Sequence, residues 1–259
     1  LSWYFVQQKE YGKAFIQEKA IYKRNPETFF NIINLAQLSI EEGDKETAKE
    51  ILAFVLQNTT EQDLLVQAHY YLAEMRVDDP LEKDPKAVNS YLTELLIQFG
   101  ITPYTLSLQT LQARFLAFNM NNPAQAKEIL KTALELPLSK FQSAEVKMEL
   151  ADILLYEEKF NQALIYYSQI ELDLKNDVMA HEATLKAAKT SYFKTDFAWA
   201  LKQFKELKSA NTQLIANDAL EYFLLINDNT VADSTQTALK QFAKGDYLFF
   251  LNAGDSFYD

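Results

Sequence analysis

The sequence has no cysteine, and among its 259 residues only five are glycine and six are proline. The absence of cysteine excludes disulfides, thiolate nucleophiles and cysteine-based zinc sites, but it does not distinguish a cytoplasmic from a periplasmic protein. Sheet proteins need turn residues at about every 8–12 positions. The scarcity of glycine and proline therefore favours helices joined by short loops.

Long apolar runs and an excess of positive charge are also lacking. No uninterrupted apolar run reaches the roughly 18–20 residues that a membrane-spanning helix needs, so we expect no direct membrane insertion. The formal net charge is −11 at pH 7. Because an acidic chain has no general attraction for phosphate backbones, the charge argues against a nucleic-acid partner.

Residue types that carry chemistry are few or scattered. The two histidines, His69 and His181, are 112 residues apart and form no metal-binding spacing, and the glycines form no phosphate-binding loop. The acidic cluster at residues 78–84 contains a proline but no glycine, unlike a calcium loop. We therefore predict no catalytic residue, no metal site and no cofactor.

The sequence does contain a repeated helical pattern. Residues 145–155 and 160–170 carry apolar side chains at helical spacing on either side of a polar turn. Alanines recur in the second helix of successive pairs, at intervals of 39, 39, 37 and 37 residues: Ala48, Ala87, Ala126, Ala163 and Ala200. Only a small side chain fits where two helices cross closely, so these intervals predict stacked pairs of helices.

One pair combines Leu150 and Ala151 in its first helix with Phe160, Ala163 and Tyr167 in its second. This combination resembles the tetratricopeptide repeat (TPR). The resemblance implies an all-α, right-handed superhelical solenoid of antiparallel helix pairs that covers residues 1–259 as one domain. The implied units are 1–26 (partial), 27–62, 63–102, 103–140, 141–177, 178–212 and 213–259 (irregular or partial).

Some segments depart from the family pattern. The unit at 63–102 has an expanded turn at residues 78–85, and Arg114 stands near a position where the family prefers a small residue. After residue 212 the register is irregular, although residues 213–228 and 234–251 each predict a helix.

The ends of the sequence suggest a fragment of a longer, bacterial TPR scaffold-like protein. Tyr11, Ala14 and Pro26 resemble the second half of a clipped repeat. Residues 252–255 resemble the turn at Gly43, and residues 256–259 look like the start of a further helix.

In the family, the first helices line a concave groove that receives an extended peptide or a partner helix. The resemblance therefore implies partner-binding residues on the first helices of this chain. They are Tyr70, Glu74, Phe115, Met148, Asp152, Tyr156, Lys189 and Tyr192. The family's carboxylate clamp of Lys, Asn and Arg is absent, so we expect an apolar or mildly basic helix or segment as the partner.

These features favour a non-catalytic scaffold or adaptor for protein–protein interactions. The acidic, Lys-, Asn- and aromatic-rich repeats resemble those of bacterial periplasmic TPR proteins, which favours a role in cell-envelope assembly. Two alternatives are a regulator that responds to a bound peptide and a helical-toroid glycosidase, which would need two carboxylates about 5–10 Å apart. The partner and the oligomeric state stay open.

Overall fold

A computed structural model describes residues 1–25, 29–79, 81–175, 177–208, 212–230 and 235–252. All regular secondary structure in these ranges is helical. The chain divides into two compact units, Leu1–Phe115 and Leu116–Asp259. Pro26 and residues 253–259, to which the sequence assigns repeat ends, lie outside the described residues.

The first unit is a succession of helices packed around an apolar core. Ile32, Ala36, Ile51 and Leu52 are fully buried in this core. The helices are α1 (Ser2–Gln7), α2 (Tyr11–Tyr22), α3 (Phe29–Glu41), α4 (Lys45–Asn58), α5 (Gln62–Val77), α6 (Pro85–Phe99) and α7 (Leu106–Phe118). A 3-10 turn, Pro103–Thr105, directly precedes α7 in the chain.

The second unit is also a succession of helices around an apolar core. Tyr167, Tyr192 and Phe204 are its largest fully buried side chains. Its helices are α8 (Pro123–Leu134), α9 (Lys140–Tyr156), α10 (Phe160–Leu174), α11 (Val178–Phe193), α12 (Phe197–Leu207), α13 (Gln213–Thr230) and α14 (Thr237–Asn252). The two helices expected after residue 212 are therefore present as α13 and α14.

Five helix pairs are joined by the same tight turn. In each turn a residue with positive φ stands two positions before the second helix; these are Lys9, Gly43, Asn121, Glu158 and Thr195. The amide of the following residue returns to a carbonyl near the end of the first helix, as from Asp196 to Ser191 at 2.9 Å. This is the C-terminal capping geometry of helices, repeated along the chain.

The residue after the positive-φ position often caps the second helix. The Asp44 carboxylate accepts a hydrogen bond from the Thr47 amide at 3.2 Å, and the Asp196 carboxylate accepts one from the Trp199 amide at 3.4 Å. Such caps satisfy amide groups that a helix N-terminus leaves without partners. One short segment thus ends one helix and starts the next.

The small-residue register is confirmed in four second helices. Ala48, Ala126, Ala163 and Ala200 each stand fourth in their helix, and each is 0% exposed. The residues four positions later fill the space beside the crossing and are also fully buried: Leu52, Leu130, Tyr167 and Phe204. The alternation of small and large side chains accounts for the close packing of the pairs.

The prediction for Ala87 is wrong. The fourth residue of α6 is Val88, which is 1% exposed, whereas Ala87 is only half-buried. The cause is the expanded turn, because the Asp84 carboxylate caps the helix by accepting hydrogen bonds from the Lys86 and Ala87 amides at 3.0 Å. This cap fixes the start of α6 at Pro85 and moves the buried position one residue along the chain.

Arg114 also proves compatible with the register. The neighbouring Ala113 is fully buried in α7, while Arg114 is half-buried. The small residue that the crossing requires is therefore present, one position before the arginine.

Candidate functional site

The structure divides the eight residues expected to bind a partner into two groups. Phe115, Met148, Asp152 and Tyr192 lie in the packed interior. Tyr70, Glu74, Tyr156 and Lys189 are half-buried and keep part of their surface accessible. A side chain in the interior contributes to packing, so the half-buried group is the part of the predicted set that a partner can reach.

In the first unit, Tyr70 and Glu74 lie one turn apart on α5. The Tyr70 hydroxyl donates a hydrogen bond to Oε1 of Glu74 at 2.5 Å. Burial and the Glu74 charge raise the pKa of Tyr70 far above its ordinary value, so the phenol stays protonated as a donor. Arg114 opposes this shift in pKa. The pair thus presents a fixed tyrosine ring beside a carboxylate.

A second tyrosine links two first helices of the same unit. The Tyr71 hydroxyl on α5 donates a hydrogen bond to Oε1 of Gln37 on α3 at 3.0 Å. The Gln37 amide donates in turn to Glu41 at 2.9 Å, and both Gln37 and Glu41 are exposed. We call the residues Gln37, Glu41, Tyr70, Tyr71 and Glu74 the α3–α5 face.

In the second unit, both half-buried residues have internal contacts. The Tyr156 ring packs edge-on against Phe118, with 5.2 Å between centroids. Lys189 forms an ion pair with Asp218 at 2.9 Å and lies over the Tyr222 ring, 5.3 Å from its centroid. These contacts hold the two side chains in place between neighbouring helices.

Asp152 belongs to a buried polar network. Its Oδ1 accepts a hydrogen bond from the Tyr167 hydroxyl at 2.5 Å, and its Oδ2 accepts one from Lys186 at 2.6 Å. Burial alone would lower the pKa of Lys186, but the charge and hydrogen bond of Asp152 raise it overall. The carboxylate joins α9, α10 and α11, which explains why a charged residue is fully buried there.

Tyr192 stands in an aromatic cluster with a carboxylate at its edge. Its ring contacts Phe193, Phe197 and Tyr222 at centroid distances of 5.6, 5.9 and 5.1 Å. Its buried hydroxyl has no hydrogen-bond partner within the described part of the chain. Burial, together with the nearby Asp246 carboxylate, raises the pKa of Tyr192.

Two searches for other kinds of site gave negative results within the described ranges. No group of three or more His, Asp or Glu side chains there could hold a metal ion. None of the helices described in the structure is long and apolar enough to cross a membrane.

Sequence reasoning missed Tyr71 and Tyr247. Tyr71 follows the predicted Tyr70 directly, and its pairing with Gln37 depends on how α3 and α5 align. Tyr247 on α14 donates a hydrogen bond to the Leu155 carbonyl at 2.8 Å, across a separation of 92 residues. A repeat pattern carries no signal for such a contact, because α14 does not follow the pattern.

Paired helices, a recurrent left-handed turn and small residues at the crossings are the features of a TPR-like helical-repeat fold of the solenoid type, as the sequence predicts. The fold is similar to a solved structure described as the functional characterization of Pseudomonas aeruginosa pilF. The TM-score is 0.53 and the identity 18%, over 85% of this chain and 94% of that chain. At this identity the similarity concerns the fold alone. The sequence matches no protein-family model and no curated protein.

Proposed function

We propose that this chain is a non-catalytic scaffold that binds a helix or extended segment of another protein along its first helices. The α3–α5 face is the observation that carries the proposal. It places two half-buried tyrosines beside the carboxylates of Glu41 and Glu74 on adjacent first helices. Tyrosines held in this way supply large, rigid contact areas with little loss of side-chain entropy.

The composition of this face indicates the chemistry of the partner. The carboxylates attract Lys or Arg side chains, and the tyrosine rings accept apolar or cationic groups on their faces. An apolar or mildly basic segment therefore complements the face. The proposed setting is a bacterial cell-envelope complex, which rests on the resemblance of the repeats to those of periplasmic TPR proteins.

The state of Asp152 supports a non-catalytic role. It is the carboxylate most deeply buried among the described residues, and both of its oxygens accept hydrogen bonds from within the chain. A general base must reach a substrate proton. Tyr167 and Lys186 instead hold Asp152 within the packing of the helices.

Site-specific photo-crosslinking tests the proposed surface. A photo-reactive amino acid is placed at Gln37 on the α3–α5 face, and in a separate variant at Lys49 on α4, which is also exposed. Irradiation of cells that make the protein should give a discrete protein adduct from position 37 and none from position 49. Adducts of equal yield at both positions would contradict the assignment.

Charge reversal provides a matched second test. Glu74→Lys should reduce the yield of the position-37 adduct at least severalfold, because it removes the attraction for a basic segment. Glu50→Lys, which makes the same change at an exposed position of α4, should leave the yield unchanged. An equal effect of both substitutions would show that net charge, rather than the α3–α5 face, governs binding.

A further inference from the structure

The last helix of the second unit packs differently from the second helices before it. α10 and α12 each follow their first helix through the same short turn. α14 instead reaches back to the C-terminal ends of α9 and α11 and to the first residue of α10. There its Tyr247 contacts Leu155, Phe193 and Phe160. Leu220 and Leu224 of α13 are exposed.

Tyr247 anchors α14 in this position. Its hydroxyl donates hydrogen bonds to the carbonyls of Leu155 at 2.8 Å and Tyr156 at 3.4 Å. The last carbonyls of a helix have no partners within that helix beyond its capping turn, so they accept a hydroxyl readily. The Tyr247 ring lies 5.3 Å from both Phe160 and Phe193, and burial raises its pKa to about 12.

Two neighbours of Tyr247 on the same helix complete the contact. The Phe250 ring lies 5.2 Å from Phe193. The Asp246 carboxylate accepts a hydrogen bond from the Tyr222 hydroxyl at 3.3 Å. Along α14, Leu239, Ala243 and Tyr247 form a buried stripe, whereas Phe249 on another side is 72% exposed. The helix is therefore amphipathic.

The surface beneath α14 contains residues that the sequence assigns to the partner-binding groove. Tyr156 offers its carbonyl to Tyr247, and Tyr192 lies beside Asp246. α14 therefore covers part of the surface that the sequence assigns to partner binding. Its side chains show directly which groups fit there.

We propose that this surface, formed by the C-terminal ends of α9 and α11 with Tyr222 of α13, is the receptor for a partner helix. That helix carries an Asp-Tyr pair with a phenylalanine three residues beyond the tyrosine, and α14 occupies the receptor in the free chain. The inference rests on the proposed scaffold function and names the partner chemistry of the second unit. A partner helix binds only to molecules in which α14 has left this surface. The apparent affinity for the partner is therefore lower when a larger fraction of molecules has α14 docked.

The test uses the full chain and a fluorescein-labelled peptide with the sequence of residues 237–252. Fluorescence anisotropy should show that the peptide binds the Tyr247→Ala/Phe250→Ala chain at least tenfold more tightly than the wild-type chain. Tyr247→Phe keeps the ring and removes only the hydroxyl, so it should increase the peptide affinity by roughly 2- to 10-fold without unfolding the chain. Phe249→Ala changes an exposed ring of the same helix and should match the wild type.

Two further measurements define the site. The peptide should bind at least tenfold more weakly when Phe193→Ala is added to the Tyr247→Ala/Phe250→Ala chain. A peptide that lacks the tyrosine and the phenylalanine should not bind to the Tyr247→Ala/Phe250→Ala chain. Peptide affinities that stay equal in wild type, Tyr247→Phe and the double variant would overturn the proposal. A wild-type dimer that exchanges α14 between copies would overturn it too, since the occupant would then be a second copy. Neither outcome affects the crosslinking at Gln37, so the two proposals fail separately.

Discussion

Tyr167 donates a hydrogen bond to Oδ1 of the fully buried Asp152 at 2.5 Å, and Lys186 binds the other oxygen at 2.6 Å. Removal of one partner from a buried ion pair leaves the other charge without compensation. We expect Asp152→Ala to lower the free energy of unfolding by about 3–5 kcal/mol. Tyr167→Phe should cost about 1–3 kcal/mol, because it removes a single hydrogen bond to a charged group.

Urea unfolding followed by circular dichroism measures both effects. Lys147→Ala is the matched control, because it breaks an ion pair with Asp173 in which the carboxylate is 47% exposed. Such pairs contribute at most about 1 kcal/mol. A loss for Asp152→Ala no greater than that for Lys147→Ala would show that the network has no special role in stability.

The helix crossings predict a position-dependent effect of enlarging alanine. Ala163→Leu and Ala200→Leu insert a large side chain at fully buried contacts, which should lower the free energy of unfolding by about 1–3 kcal/mol. Ala87→Leu makes the same change at a half-buried position of α6, where we expect an effect within about 0.5 kcal/mol. Thermal unfolding of the three variants compares them, and equal melting temperatures would contradict the register.

The recurrent turn predicts opposite effects of two glycine substitutions. Thr195 has φ +66°, although a β-branched residue is strained there. The relief of about 1–2 kcal/mol of strain outweighs the entropic cost of glycine, so Thr195→Gly should stabilise by about 0.5–1 kcal/mol. Gly43→Ala, at φ +83° with open space around the added Cβ, should destabilise by about 1 kcal/mol. Chemical denaturation gives both values, and two shifts of the same sign would argue against strain as the cause.

His69 predicts a pH dependence of stability. Burial lowers the pKa of His69 from its ordinary value of 6.5, so the unfolded chain binds a proton at a higher pH than the folded chain. The stability of the folded state is unaffected above pH 6.5 and falls as the pH drops below it. We expect His69→Gln to remove this part of the acid sensitivity.

The measurement is the free energy of unfolding at several pH values between 7 and 5. Carboxylates contribute equally to wild type and variant, so the difference between the two curves isolates His69. The wild-type curve should fall more steeply than that of His69→Gln. Parallel curves would mean that His69 has the same pKa in both states.

The sequence predicts the fold class because the demand for a small residue at each crossing is local and repeats along the chain. Ala163 and Ala200 therefore mark the register directly. Ala87 misleads, since the expanded turn and the Asp84 cap decide where α6 begins. The intervals between alanines cannot reveal that the buried position in α6 has shifted by one residue, because a valine, Val88, occupies it.

The binding residues are harder to predict than the fold. Helical spacing gives the side of the helix on which Asp152 and Tyr192 stand, but burial depends on what packs there. For Asp152 the cover comes from Tyr167 and Lys186, and for Tyr192 it comes partly from α14. Contacts between residues far apart in the sequence decide whether such a side chain is buried. The pattern of residues within one helix gives no information about these contacts.

The left-handed position of the recurrent turn is filled by Lys9, Gly43, Asn121, Glu158 and Thr195, five different amino acids. The hydrogen bonds that close the turn join main-chain atoms, so they survive the exchange of almost any side chain. Copies of the helical hairpin can consequently accumulate mutations at the turn during evolution while the arrangement of the helices stays the same. Architectures of this kind persist after the resemblance between their sequences has faded.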